Sequence, residues 1–212
     1  LAWWRKLLAK PKPAAVSTPE IAAFFNDASR DEEHFPSTID PRILHVRLVL
    51  QHLGDVSGQR VADVGCGKGR FARLVKEAHP TADVIALDLA EAMLRYVPAG
   101  ILRCAGSLTA LPLATGCCDG AYATESLEHA VDIETAVAEL CRILKPGGRL
   151  IIIDKNKDHW GRLETPAWER WFGQRELEQM LARHCRQVSS QPISYWEDET
   201  PDGLFLAWTA VK

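Results

Sequence analysis

The sequence predicts an α/β chain built on a doubly wound, mostly parallel sheet of seven strands, with a C-terminal antiparallel hairpin and an N-terminal helical cap. Short apolar runs alternate with amphipathic stretches of helical period between residues 60 and 153, the pattern of βαβ units whose strands are buried on both faces. A glycine-rich turn, Gly65-Cys66-Gly67-Lys68-Gly69, joins the first apolar run to the first of those helices. The 212 residues, 47% hydrophobic and 25% charged, suit one domain with a full core.

The chain begins at Leu1 rather than Met, which points to residues lost upstream. Trp3, Trp4, Arg5, Lys6, Leu7, Leu8 and Lys10, ahead of Pro11 and Pro13, mix aromatic, apolar and basic groups. Such a tail could touch a membrane surface weakly or simply fray. From residue 18 to 52 apolar positions such as Ile21, Phe24, Phe25, Ile43, Val46 and Leu50 recur at helical spacing around a break at Pro36. Residues 1–52 therefore read as tail and cap, with Arg30, Asp31 and Glu33 on a solvated helix face, and residues 53–212 as the core.

Within that core the strands are expected at 60–64, 84–87, 101–104, 120–123 and 150–153, and the crossover helices at 70–78, 91–97 and 133–144, with Pro80, Pro98 and Pro146 as breakers. A helix at 174–184 and β-rich runs at 186–195 and 204–211 complete the chain; the two runs predict the hairpin.

A formal net charge of -3 offers no overall basic field, so a nucleic-acid partner is not expected. Six cysteines without a C-x-x-C pair or a secretory segment read as reduced thiols of a cytoplasmic protein, with Cys66, Cys104 and Cys141 packing as small hydrophobes. No apolar run approaches the length of a membrane span.

The glycine turn marks a place where a ligand approaches the backbone, because a Cβ would obstruct both the turn and the contact. Nineteen residues after Gly69, Asp88 closes the next strand, where its carboxylate could accept hydrogen bonds from both hydroxyls of a ribose. The turn reads G-x-G-x-G, not the G-x-G-x-x-G of dinucleotide sites, which argues against a nicotinamide-binding oxidoreductase. A noncatalytic binding protein of the same fold is the other alternative.

On these residues, and across about 61–154, the chain resembles the class I S-adenosylmethionine-dependent methyltransferases, especially their small-molecule group, the methyltransferase-11-like enzymes. The resemblance implies a Rossmann-like core and S-adenosylmethionine as cofactor. Asp63, Gly65, Cys66, Gly67 and Gly69 fall on the first family motif, and Asp88 and Leu89 on the ribose-binding position. Gly106, Ser107 and Leu108 match the segment that closes over adenine, with Ser107 replacing the commoner acid, and Met93 is expected beside them. The run 144–150, Leu-Lys-Pro-Gly-Gly-Arg-Leu, matches the family's helix-turn-strand signature. Asp63 is expected to hold the loop amides and, through them or a water, the methionine ammonium.

The acceptor is expected beyond the fourth strand, where Glu125, Glu128 and His129 are spaced to share one face of a helical turn. That set could bind a divalent metal. Alternatively Glu125 serves the cofactor side and His129 acts as a general base. His159 is a second candidate base, and His34 on the cap a weaker third. The stretch 155–172 carries Trp160, Trp168 and Trp171, either as an acceptor lid whose flat rings suit sugars or other planar groups, or packed on the core. The expected reaction is methyl transfer, at oxygen, to a small-molecule, lipid-linked or sugar-containing acceptor.

Overall fold

A computed structural model describes residues 15–212; the basic aromatic stretch at Trp3 to Lys10 lies outside them. In chain order the main elements are α1 (Thr18–Ala28), α2 (Leu44–Leu53), β1 (Arg60–Val64), α3 (Arg70–Ala78), β2 (Asp83–Asp88), α4 (Glu91–Leu94), β3 (Leu102–Ala105) and β4 (Cys118–Thr124). There follow α5 (Ile133–Ile143), β5 (Leu144–Lys155), α6 (Gln174–Ala182), β6 (Arg186–Ile193) and β7 (Phe205–Val211).

The strands form one seven-stranded sheet in the order β3-β2-β1-β4-β5-β7-β6. All neighbours are parallel except β7, which runs antiparallel to both β5 and β6. The doubly wound, mostly parallel architecture is the one expected from the alternating runs. The hairpin is present too, but its second strand slots between β5 and β6.

Two apolar layers cover the sheet. Leu140, Ile143, Phe172, Leu177 and Trp208 belong to one, and Val46, Val49, Phe71, Val75 and Ile151 to the other. Gly120 on β4 permits the close approach of α2, since a Cβ there would stand 2.7 Å from Leu53. The helical stretch 18–52 therefore divides: α2 belongs to the sheet's covering layer, while α1 packs on α4 and lies over the carboxyl ends of the strands.

Two elements differ in length from their expected ranges. α4 ends at Leu94 rather than near Val97, because Tyr96 N–H and Val97 N–H donate three residues back, to Met93 and Leu94, in a tighter turn before Pro98. β5 starts at Leu144, and the Lys-Pro-Gly-Gly run forms an irregularity inside it: the register with β4 shifts between Cys118↔Leu144 and Gly120↔Arg149, with Gly147 at φ 83°. Arg30, Asp31 and Glu33 do not lie on a helix face, since α1 stops at Ala28. Asp31 instead closes a turn by accepting from Glu33 N–H (2.9 Å) and His34 N–H (3.0 Å). Among the described residues no helix is long and apolar enough to cross a membrane.

Candidate active site

Loops after β1, β2, β3 and β4 converge on a cleft at the carboxyl ends of the strands, the usual ligand position in an open α/β sheet. Gly65 and Gly67 take φ values of 73° and 53°, a region that side chains disfavour, and a Cβ on Gly65 would lie 2.3 Å from that of Ser126. The Gly65 and Cys66 amides donate to the Leu87 carbonyl, each at 2.8 Å, which ties the turn to β2. Around Gly67 the position of a Cβ is open, with nothing within 4 Å, and the residue lies on the cleft wall.

Asp88 lines the cleft and accepts from Gly67 N–H (2.7 Å) on one oxygen and Ala90 N–H (2.8 Å) on the other. Burial pushes its pKa up, and the amides of Ala90, Gly67 and Leu89 oppose that rise. Each carboxylate oxygen still has acceptor capacity for a hydroxyl. Leu89, Met93, Gly106, Ser107 and Leu108 continue the same wall. The Ser107 hydroxyl is engaged in its own turn, 2.9 Å from Thr109 Oγ1 and accepting from Thr109 N–H. Cys66 faces the cleft with its Sγ 3.4 Å from the Gly67 carbonyl, and burial raises its thiol pKa.

Asp63 and Gly69 do not line the cleft. Asp63 is 1% exposed and accepts from Ala72 N–H at 3.1 Å, so it clamps the first turn of α3 from beneath the loop. Burial pushes its pKa up to about 7, against lowering by the Tyr122 hydroxyl and the Ala72 amide. The Tyr122 hydroxyl faces it, yet neither that hydroxyl nor Asp63 Oδ1 has a partner in hydrogen-bond geometry. Gly69 is the N-cap of α3, at φ 77°.

On the acceptor side the expected face of Glu125, Glu128 and His129 does not assemble. Glu125 takes φ 50°, the helical turn begins only at Leu127, and the Glu125 carboxylate turns to Arg70 at 3.4 Å. Glu128 and His129 are joined instead by Glu169 from the segment after β5. His129 Nε2 stands 3.6 Å from Glu128 Oε1 and 3.9 Å from Glu169 Oε1. Lys155, at the end of β5, pairs with Glu128 and lies 3.5 Å from Glu169, so an ammonium already supplies the cation among these carboxylates. Burial pushes the pKa values of Glu128, Asp154 and Glu169 up. Burial acts to lower that of Lys155, but its acidic neighbours outweigh it and raise it. Burial, then Lys155, pulls His129 down to about 3, so this cleft-lining imidazole is neutral at ordinary pH.

The segment after β5 packs on the core rather than over the cleft. Trp171 and Phe172 are 4% and 0% exposed, Trp160 packs on Trp171 at 5.1 Å, and none of residues 155–172 lines the cleft. His159 lies beside Gly203, with Nδ1 3.2 Å from Arg162, outside the cleft wall. The roof comes from the N-terminal segment, where Ile21, Phe25, His34 and Phe35 line the cleft. Lys68 of the glycine turn holds that roof through Glu32 (2.7 Å) and the Asp31 carbonyl (3.1 Å). Three contacts had no spacing signal in the sequence: Glu169 reaches His129 across 40 positions, Lys155 reaches Glu128 across 27, and Lys68 reaches Asp31 and Glu32 across 37 and 36.

A family described as a methyltransferase domain matches residues 62–152. Among curated relatives, malonyl-[acyl-carrier protein] O-methyltransferase of Methylococcus capsulatus is 37% identical over 107 residues, which span 48% of this chain but only 38% of that protein. Demethylmenaquinone methyltransferase of Renibacterium salmoninarum is 30% identical over 181 residues, covering 83% of this chain and 73% of that protein. A solved geranyl diphosphate C-methyltransferase from Streptomyces coelicolor A3(2), bound to Mg2+, geranyl diphosphate and S-adenosyl-L-homocysteine, shares the fold with a TM-score of 0.70 at 16% identity, over 95% of this chain and 99% of that one. With the glycine turn, Asp88 and the β-strand order arranged as they are, the chain belongs to the class I S-adenosylmethionine-dependent methyltransferase family.

Proposed function

We propose that the chain transfers a methyl group from S-adenosylmethionine to a hydroxyl oxygen of a small molecule, lipid-linked and sugar-containing acceptors included. The observation that carries this reading is the convergence on one cleft of the glycine turn, the Asp88 carboxylate and the neutral His129 imidazole. The residues fit that cofactor: Gly67 leaves its side of the turn open, and Asp88 retains acceptor capacity for a ribose diol. Leu89, Met93 and Gly106 to Leu108 would flank the adenine. The Arg70 and Glu125 pair, held at only 3.4 Å on the same wall, would meet the carboxylate and ammonium of the methionine end. Asp63 and Gly69 would act indirectly, by holding the start of α3.

When bound, the cofactor supplies an electrophilic methyl on sulfonium sulfur. His129, on the cleft wall, would accept a hydrogen bond from the acceptor hydroxyl and receive its proton as the oxygen gains the methyl, a role that burial, by pulling its pKa down to about 3, opposes rather than assists. His159, outside that wall, is the weaker candidate.

Calorimetry against S-adenosylmethionine, S-adenosylhomocysteine and NAD, followed by labelled-methyl transfer to a hydroxylated small-molecule library, tests the proposal. Binding of both sulfur nucleosides and label in an ether product are expected. NAD binding without either nucleoside would overturn it, and nucleoside binding with no transfer would favour a noncatalytic role.

A further inference from the structure

Away from the cleft, two thiols meet in the core. Cys141, on α5, and Cys185, between α6 and β6, have their Sγ atoms 3.3 Å apart although 44 positions separate them in the chain. Both belong to the apolar layer that Leu140, Leu177 and Leu181 also build. Another pair in contact, Cys117 and Cys118, stands wider at 3.6 Å and joins consecutive residues, which can bridge only through a small, strained ring. Cys141 and Cys185 come from separate elements and carry no such restriction.

Hydrogen-bonded backbone holds both positions. The Cys141 carbonyl accepts from Leu144 N–H at the end of α5 and from Lys212 Nζ at 2.6 Å, and Cys185 N–H donates to the Leu181 carbonyl at 2.8 Å. A bond between the sulfurs asks chiefly that they close by about 1.3 Å, a side-chain adjustment. Cys185 is 8% exposed and Cys141 1%, so an oxidant arriving from solvent meets Cys185 first. Hydrogen bonding with the Cys141 thiol, aided by the charge of Lys212 and opposed by burial, holds the Cys185 pKa below the usual thiol range and favours its thiolate. The same hydrogen bond, with burial, raises the pKa of Cys141 and keeps it protonated.

We propose that Cys141 and Cys185 form a redox modification site, closed to a disulfide by hydrogen peroxide and reopened by thiols. The Cys185 thiolate attacks a peroxide oxygen, the O–O bond breaks with its electron pair on the departing oxygen, and Cys185 becomes a sulfenic acid. The departing hydroxide takes up the proton that Cys185 released and leaves as water. The Cys141 sulfur then attacks the Cys185 sulfur, the S–O bond breaks, and the Cys141 proton joins the second hydroxide as water. Two thiols are thus oxidised to one disulfide while one peroxide is reduced to two waters. The bridge closes a loop of 44 positions that contains β5, Lys155 and Glu169, and it stabilises the fold by restricting the unfolded chain. Neither cysteine lines the cleft, so the bridge acts on the frame behind it and is independent of the reaction proposed there.

The test treats the reduced, folded full chain with hydrogen peroxide, alkylates the remaining thiols, and cuts the protein with trypsin and a glutamate-specific protease. The expected product weighs two hydrogens less than the reduced chain before alkylation and yields Leu140-Cys141-Arg142 joined to His184-Cys185-Arg186. Its Tm should lie about 5–15 °C above that of the reduced chain, and dithiothreitol should reverse both changes. Cys185→Ser, at the more exposed position, should show neither the joined peptides nor the rise in Tm. Alkylation of both thiols after peroxide treatment, a sulfinic acid on Cys185, or a bridge joining other cysteines instead would each overturn the inference. So would joined peptides with an unchanged Tm, or a rise in Tm that persists in Cys185→Ser.

Discussion

Replacing Asp63 with asparagine probes a charge that the fold holds under strain. The carboxyl is 1% exposed and its pKa is pushed up from 3.8 to about 7, chiefly by burial. A raised acid pKa means that the native state binds its proton more tightly than the unfolded chain does. Stability is therefore fully present below about pH 4 and falls as pH rises through 7, because the unfolded carboxyl ionises first. A shift of that size corresponds to about 4 kcal/mol in total, of which roughly 2–3 kcal/mol is lost between pH 5 and pH 8. Asparagine keeps an oxygen for Ala72 N–H, offers a donor toward the Tyr122 hydroxyl, and never ionises. The stability of Asp63→Asn relative to the native chain should thus rise with pH by roughly 2–3 kcal/mol over that window. Urea denaturation at pH 5, 6, 7 and 8 measures it, and in thermal melts the gain should appear as about 5–10 °C at pH 8 relative to pH 5. A difference between the two proteins that does not change with pH would refute the argument, since no other group is altered.

Four further outcomes follow from the site. Asp88→Ala should weaken S-adenosylhomocysteine binding by about 1.5–3 kcal/mol through loss of charge-assisted hydrogen bonds, and calorimetry showing unchanged affinity would remove the ribose assignment. His129→Ala should cut turnover by about 100-fold or more with the nucleoside still bound; native turnover would eliminate it as the base. Gly65→Ala should abolish nucleoside binding, because the new Cβ meets Ser126 at 2.3 Å in a backbone region that itself disfavours alanine by about 1–2 kcal/mol; a bound, unshifted loop in a crystal structure of the variant would contradict this. Chelation by EDTA should leave transfer unchanged, since Lys155 supplies the cation between Glu128 and Glu169; inhibition reversed by magnesium or manganese would restore the metal reading.

The elements that build the proposed cofactor side of the cleft were legible because each is written in a local pattern. The β1 run, the turn of glycines and α3 occupy consecutive residues, and their order reports strand, reversal and helix without reference to the rest of the chain. Asp88 was legible for the same reason, at the end of an apolar run. The proposed acceptor side was legible only in part. His129 does line the cleft, but the i, i+3, i+4 spacing that grouped it with Glu125 presumes a continuous helix, and the positive φ of Glu125 breaks that premise.

By itself the sequence determined the class of sheet, the glycine turn, the acid closing β2 and the absence of an overall basic field, all properties of neighbouring residues or of the whole composition. Tertiary structure alone decided that β7 lies between β5 and β6, that Asp63 points under the loop, that Glu169 joins His129 across 40 positions, and that Trp171 serves the core while Phe25 serves the cleft. The physical reason is direction. Spacing along a strand or helix sets which residues share a face, but which partner a side chain meets there is settled by packing between segments far apart in the chain, where burial selects the contact.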